Sequence, residues 1–108
     1  MVVEESVTDG STSVETPRGA VIENAALGRF EFLRGGEVVS HAIYRDDGGR
    51  VIVPHVETDP AHRGNDFAAE LMEGLVALLR ASDRTLTPLC SWAAAYLRDH
   101  PEHHDLVA

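Results

Sequence analysis

The chain has 108 residues, with eighteen acidic side chains against nine arginines, no lysine, and a formal net charge of -9. That length supports one small hydrophobic core and excludes a separate substrate domain. The acidic balance argues against a nucleic-acid partner and suits an amine substrate, a cationic partner or simple solubility.

Residues 1–17 mix Ser, Thr, Gly and Glu without a sustained apolar period and carry four acidic side chains and no basic one, the composition of a disordered acidic tail. The start has neither a basic stretch nor an apolar run, and no segment approaches the ~20 apolar residues that cross a bilayer. The expectation is a soluble, cytoplasmic protein with no membrane partner and one folded domain over residues 18–108. Val21 and Ile22 read as a short first strand or lead-in, before a turn at Asn24 to Gly28. Three extended segments follow: Arg29 to Arg34, Glu37 to Tyr44 and Arg50 to Thr58. They are separated by Gly35-Gly36 and Asp46-Asp47-Gly48-Gly49, which are hairpin signals, so the three form an antiparallel meander. Pro54 interrupts the last of them, and a proline there marks either an edge or a bulge.

From Phe67 the period becomes helical. Phe67, Leu71, Met72, Leu75, Val76, Leu78 and Leu79 share one half of the wheel, with Glu70, Glu73 and Arg80 opposite. Asp66 is placed as the N-cap and Ser82-Asp83 as the stop. Arg84 to Leu89 reads as a strand, which after a helix returns parallel to the one before it. Trp92 to Asp99 is a second helix, ended before Pro101, with a last turn through Leu106.

The segment from Val51 to Leu71 carries most of the chemistry. An extended run ends in a polar turn that opens into a helix, whose unpaired N–H groups and dipole attract an anion beside Arg63. His55 and Glu57, two apart on the strand, share a face and offer an imidazole and a carboxylate for proton transfer. Cys90, the lone cysteine, rules out an intramolecular disulfide and indicates a reducing compartment. It stands before Ser91, a candidate N-cap, where a helix start would activate the thiol; buried, it would be a small hydrophobe. Trp92 and Tyr96 sit one turn apart as an apolar seam of the second helix. His100, His103 and His104 around Glu102 lack a fixed helical pair and read as a turn, so no metal ligand is assigned.

Two stretches resemble a known family. The pattern H-x-E-x-x-P-x-x-R-G from His55 to Gly64, followed by the small Ala68, resembles the acyl-CoA loop of GNAT-type N-acetyltransferases. The run P-L-C-S-W-A-A-A-Y-L-R-D-H-P-E-H-H-D-L-V from Pro88 resembles the C-terminal half of the minimal, single-domain branch. Together the likeness covers residues 28 to 107. It implies an α/β (α+β) fold with a mixed sheet: a β-meander, then α-β-α, with the strands ending at Thr58 and Leu89 parting at a cofactor cleft. It also implies acetyl-CoA as cofactor, held by Val56 on the strand and by Arg63, Gly64, Asn65, Asp66, Phe67 and Ala68 in the loop. The reaction implied is acetyl transfer to a small-molecule or protein amine by a monomer or weak homodimer, with Glu57 or His55 as base, Tyr96 as acid and Cys90 as a conceivable acyl carrier. The loop departs from the family pattern at Asp66, which replaces a glycine and adds like-charge repulsion on the order of 1 kcal/mol. Either its side chain caps the helix, or Gly64 supplies the backbone freedom instead. The alternative function is a non-catalytic binding or regulatory module on the same fold, with a degenerate loop.

Overall fold

The computed structural model describes residues 13–108. Six strands form one sheet in the order β1 to β6: β1 Ser13–Thr16, β2 Gly19–Asn24, β3 Arg29–Arg34, β4 Glu37–Asp47, β5 Arg50–Thr58 and β6 Thr85–Pro88. Neighbours from β1 to β5 run antiparallel, and β6 lies parallel to β5. Helix α1, Phe67–Ala81, connects β5 to β6, and helix α2, Ser91–Arg98, leads to a 3-10 turn over Pro101–Leu106. The mixed sheet, its meander and the α-β-α ending are those expected. No helix is long and apolar enough to cross a membrane among the described residues.

Residues 1–12 of the expected tail lie outside the described residues. Its end is corrected: Ser13–Thr16 is a strand paired with β2, because Val14 and Val21 stand opposite each other and Val14 packs against the core. Alternation places Val21, Phe30, Phe32, Ala42, Val51 and Val53 on one face, all buried, where α1 covers them with Phe67, Leu71, Met72, Leu75 and Leu79. This is the period-2 face of a sheet meeting the 3.6-period stripe of a helix.

Two register shifts shape the sheet's far end. Between Ile43↔His55 and Arg45↔Ile52, β5 holds Val53 and Pro54 against the single Tyr44. The bulge sits where a proline with no N–H to give interrupts the ladder. Between Phe32↔Ser40 and Leu33↔Val38, β4 carries Val39 as an extra residue. The β5–β6 ladder ends at Val53↔Pro88, and Leu89 and Cys90 turn away while both donating to the Val53 carbonyl, at 2.9 and 3.1 Å. Beyond that point this edge of β5 has no strand beside it among the described residues.

Two expectations on α1 are corrected. Glu70 is buried, although the wheel set it outside, because the β1–β2 hairpin folds over that side and Arg18 pairs with it at 2.6 Å. Asp66 occupies the N-cap position with φ of 59°, and its side chain makes no cap hydrogen bond. Ser91 is likewise the first residue of α2 and not its cap; Cys90 holds the cap position.

Candidate functional site

Where β5 and β6 part, a groove of about 490 Å³ opens between β5, the start of α1 and α2. Val56, Thr58, Arg63, Ala68 and Trp92 line it, with His55 and Glu57 at its rim. A smaller recess of about 190 Å³ adjoins it, sharing Thr58, Arg63, Ala68 and Trp92 and adding Gly64 and Asp66. The two form one track from the β5 edge to the helix start.

The turn carries the groundwork for an anion. Among the described residues no protein group accepts from the N–H of Gly64, Asn65, Asp66, Phe67 or Ala68. The first turn of a helix leaves such donors unpaired, with the positive end of the dipole behind them. Gly64 has a φ of +87° and nothing within 4 Å of the place a Cβ would take, so the loop backbone is open to a ligand. Arg63 makes no ion pair among the described residues; its Nε reaches only the Thr58 carbonyl at 3.4 Å. The Asn65 side chain closes the loop on the His62 carbonyl at 3.0 Å. The Phe67 ring is buried against Phe32, so only its amide faces the loop. This donor set fits a diphosphate. Asp66 is the one misfit: it takes the left-handed backbone that glycine adopts most readily, so the loop shape is kept with a carboxylate added.

His55 Nε2 and Glu57 Oε1 lie 3.0 Å apart on the outward side of β5. The hydrogen bond from His55 holds the Glu57 carboxyl below its ordinary value. Across the ladder, His41 pairs in register with Glu57, and burial together with the nearby Arg29 pushes its imidazole down, so it stays neutral near pH 7. His41 was not singled out in the sequence, since only the β4–β5 register reveals it.

Two expected catalytic residues lie elsewhere. Tyr96 turns to the other side of α1: its hydroxyl donates to Glu73, and its ring stacks between Trp92 and His100. Burial and the Glu73 carboxylate push its pKa up, so its proton stays committed. Tyr96 is not among the residues lining the groove, and its hydroxyl faces Glu73 on the neighbouring helix. Cys90 is half-buried against the core and is not among the residues lining the groove. The histidines near the C-terminus bond to protein groups: His100 to the Tyr96 carbonyl, His104 to the Leu97 carbonyl and His103 to Glu73. A cavity of about 610 Å³ lies between the β1–β2 hairpin, α1 and α2. Its lining carries Glu15, Asp66, Glu70 and Glu73, and Arg18 there is taken by Glu70, so it does not suit a phosphate.

A meander followed by α-β-α, with parallel strands opened beside a helix start rich in free amides, defines an N-acetyltransferase-like domain. The model of the GCN5-related N-acetyl-transferase family matches residues 29–106, and the chain belongs to that family. The fold is similar to that of a GCN5-like protein from Staphylococcus aureus solved by NMR, with a TM-score of 0.60 at 14% identity over 90% of this chain and 87% of that one. No curated protein matches the chain significantly in sequence. Family membership supports a general acyl-transfer function.

Proposed function

We propose that the protein transfers an acetyl group from acetyl-CoA to an amine. The parting of β5 from β6 after Val53↔Pro88, which leaves an open strand edge running into the free amides of the α1 loop, carries this reading. Arg63 and the N–H groups of Gly64 to Ala68 would hold the diphosphate, and the β5 edge at Val56 with the Trp92 ring would border the pantetheine arm. Acetyl-CoA bound there supplies the acyl carbon as a thioester. Glu57 is a carboxylate at neutral pH and takes the proton that an ammonium must lose before its nitrogen has a lone pair for attack. His55 orients that carboxylate, and neutral His41 across the ladder offers the next acceptor. With Tyr96 turned away, the departing thiolate takes its proton from water. Holding the reactants together supplies most of the rate.

The Asp66 carboxylate and the captured Tyr96 favour a second reading, a binding module that has lost catalysis. Calorimetry on the wild type and Asp66→Gly, with acetyl-CoA and a desulfo analogue, separates the two. The enzyme reading expects wild-type binding, tightened only about fivefold in the variant by removal of roughly 1 kcal/mol of repulsion. Binding that appears only in the variant supports the module, and no heat from either protein at millimolar ligand removes the acyl-CoA site.

A further inference from the structure

On the sheet face turned away from α1, another cavity, of about 320 Å³, lies between the ends of β3, β4 and β5, bounded by Arg29, Val39, His41, Glu57, Asp59 and Pro60. The Val39 bulge makes room for it, and the Val39 carbonyl pins the chain by accepting from the Asp59 N–H at 2.9 Å. Glu57 belongs to both spaces, so one carboxylate forms the wall between this cavity and the cofactor groove. An acceptor lying in the cavity would present its nitrogen to the base on the side opposite the thioester.

The lining says what that acceptor is. Arg29 is neutralised by Glu31 at 2.5 Å, and His41 is held neutral by burial, which leaves the carboxylates of Glu57, hydrogen-bonded to His55, and of Asp59 as the negative charges of the lining. Asp59 uses one oxygen on the Ala61 N–H at 2.9 Å and has no cationic partner among the described residues. Glu37 and His62 stand beside it, the ligating atoms of all three within 4.8 Å of one another, and His62 Nε2 lies 3.3 Å from Glu37 Oε2. Residues 57 and 59 are two strand steps apart, about 7 Å. That spacing matches the nitrogens of a short aliphatic diamine, whose methylenes would lie along Val39 and Pro60.

We propose that this cavity is the acceptor site and that it takes a slim aliphatic amine bearing a second cation, with Glu57 at the reacting nitrogen and Asp59 as the residue that selects for the second charge. This rests on the acetyltransferase reading for the role of Glu57, and the binding itself is separable from it. The test is an amide chemical-shift titration of the full chain with 1,4-diaminobutane, with butylamine as the single-charge control, repeated in Asp59→Asn, which keeps the cap oxygen. Saturable shifts confined to residues 38–41 and 57–60, stronger for the diamine than for butylamine and weakened about three- to tenfold in the variant, are expected. Equal affinity for both amines, no effect of the variant, or shifts elsewhere overturns the proposal. Acetyl-CoA added to the same sample reports separately at residues 63–68; silence there removes the cofactor reading and leaves the amine site standing or falling by its own shifts.

Discussion

Glu57 shows how little separates a surface carboxylate from a catalytic base. It is exposed, yet the hydrogen bond from His55 holds it in the charged form. A carboxyl with a depressed pKa keeps its base form over the whole range above that value and loses it as pH falls through it. Removing His55 lets the value climb toward the ordinary carboxylate range, so in His55→Ala the acid limb of the rate profile moves to higher pH. Glu57→Gln, which cannot accept the proton, lowers kcat about a hundredfold or more. An unmoved acid limb in the first variant, with full activity in the second, assigns the base elsewhere. The H-x-E spacing made this pair legible in the sequence, because strand alternation alone puts both side chains on one face. His41 and Asp59 were not legible, since they join Glu57 only through a ladder register and a bulge that no local pattern announces. Tyr96 was legible as a helix residue but not in its direction: the choice between groove and Glu73 depends on which face of α2 meets α1.

At the scale of the element, α1 was nearly complete in its periodicity, from Phe67 to the stop at Ser82, where the cap N–H returns to Leu78 and Leu79. What periodicity missed is that the helix is covered on a second side. The β1–β2 hairpin reaches it through Arg18 and through Gly74, where a Cβ would stand 2.3 Å from Val21 Cγ2 and 3.1 Å from Val14 Cγ1. A strand of four residues with a Ser-Val-Glu-Thr sequence carries too few apolar positions to stand out from the acidic segment before it. Ordinarily, alanine in place of a helical glycine gains about 1 kcal/mol. In this helix the overlap with the rigid, fully buried Val21 reverses the sign, and Gly74→Ala is expected to cost about 1–3 kcal/mol in urea denaturation. Pairing it with Val21→Ala should recover part of the loss, since the clash and the cavity then offset one another. If the single variant is more stable than the wild type, the hairpin does not pack on α1 as described.

Over the whole molecule, one charge network ties the two ends of the chain's fold together. Arg84, just before β6, grips Glu23 of β2 with two nitrogens at 2.6 and 3.0 Å and reaches Asp46 of β4 at 3.2 Å. Both Arg84 and Glu23 are mostly shielded, at 15% and 13% side-chain exposure. The guanidinium holds the Glu23 carboxyl below its ordinary value near 4.5, although burial pulls the other way. Glu70 and Glu73 are also held low by the hydrogen bonds they accept, which outweigh their burial. A depressed carboxyl stabilises the fold fully above its unfolded value, and that contribution is lost as pH falls through the folded value beneath it. Against this runs the net charge of -9, whose self-repulsion eases as the chain takes up protons in mild acid. The two trends predict a Tm that peaks between about pH 5 and 7 and drops below about pH 4, with added salt raising it at pH 8. Arg84→Ala should cost about 2–3 kcal/mol at neutral pH, because Glu23 is left shielded without its partner. The gap between variant and wild type should then narrow below pH 4, where a protonated Glu23 no longer misses the guanidinium. A gap that stays constant from pH 7 to pH 3 would mean that Arg84 acts through packing alone, and that the carboxylates are not what acid undoes.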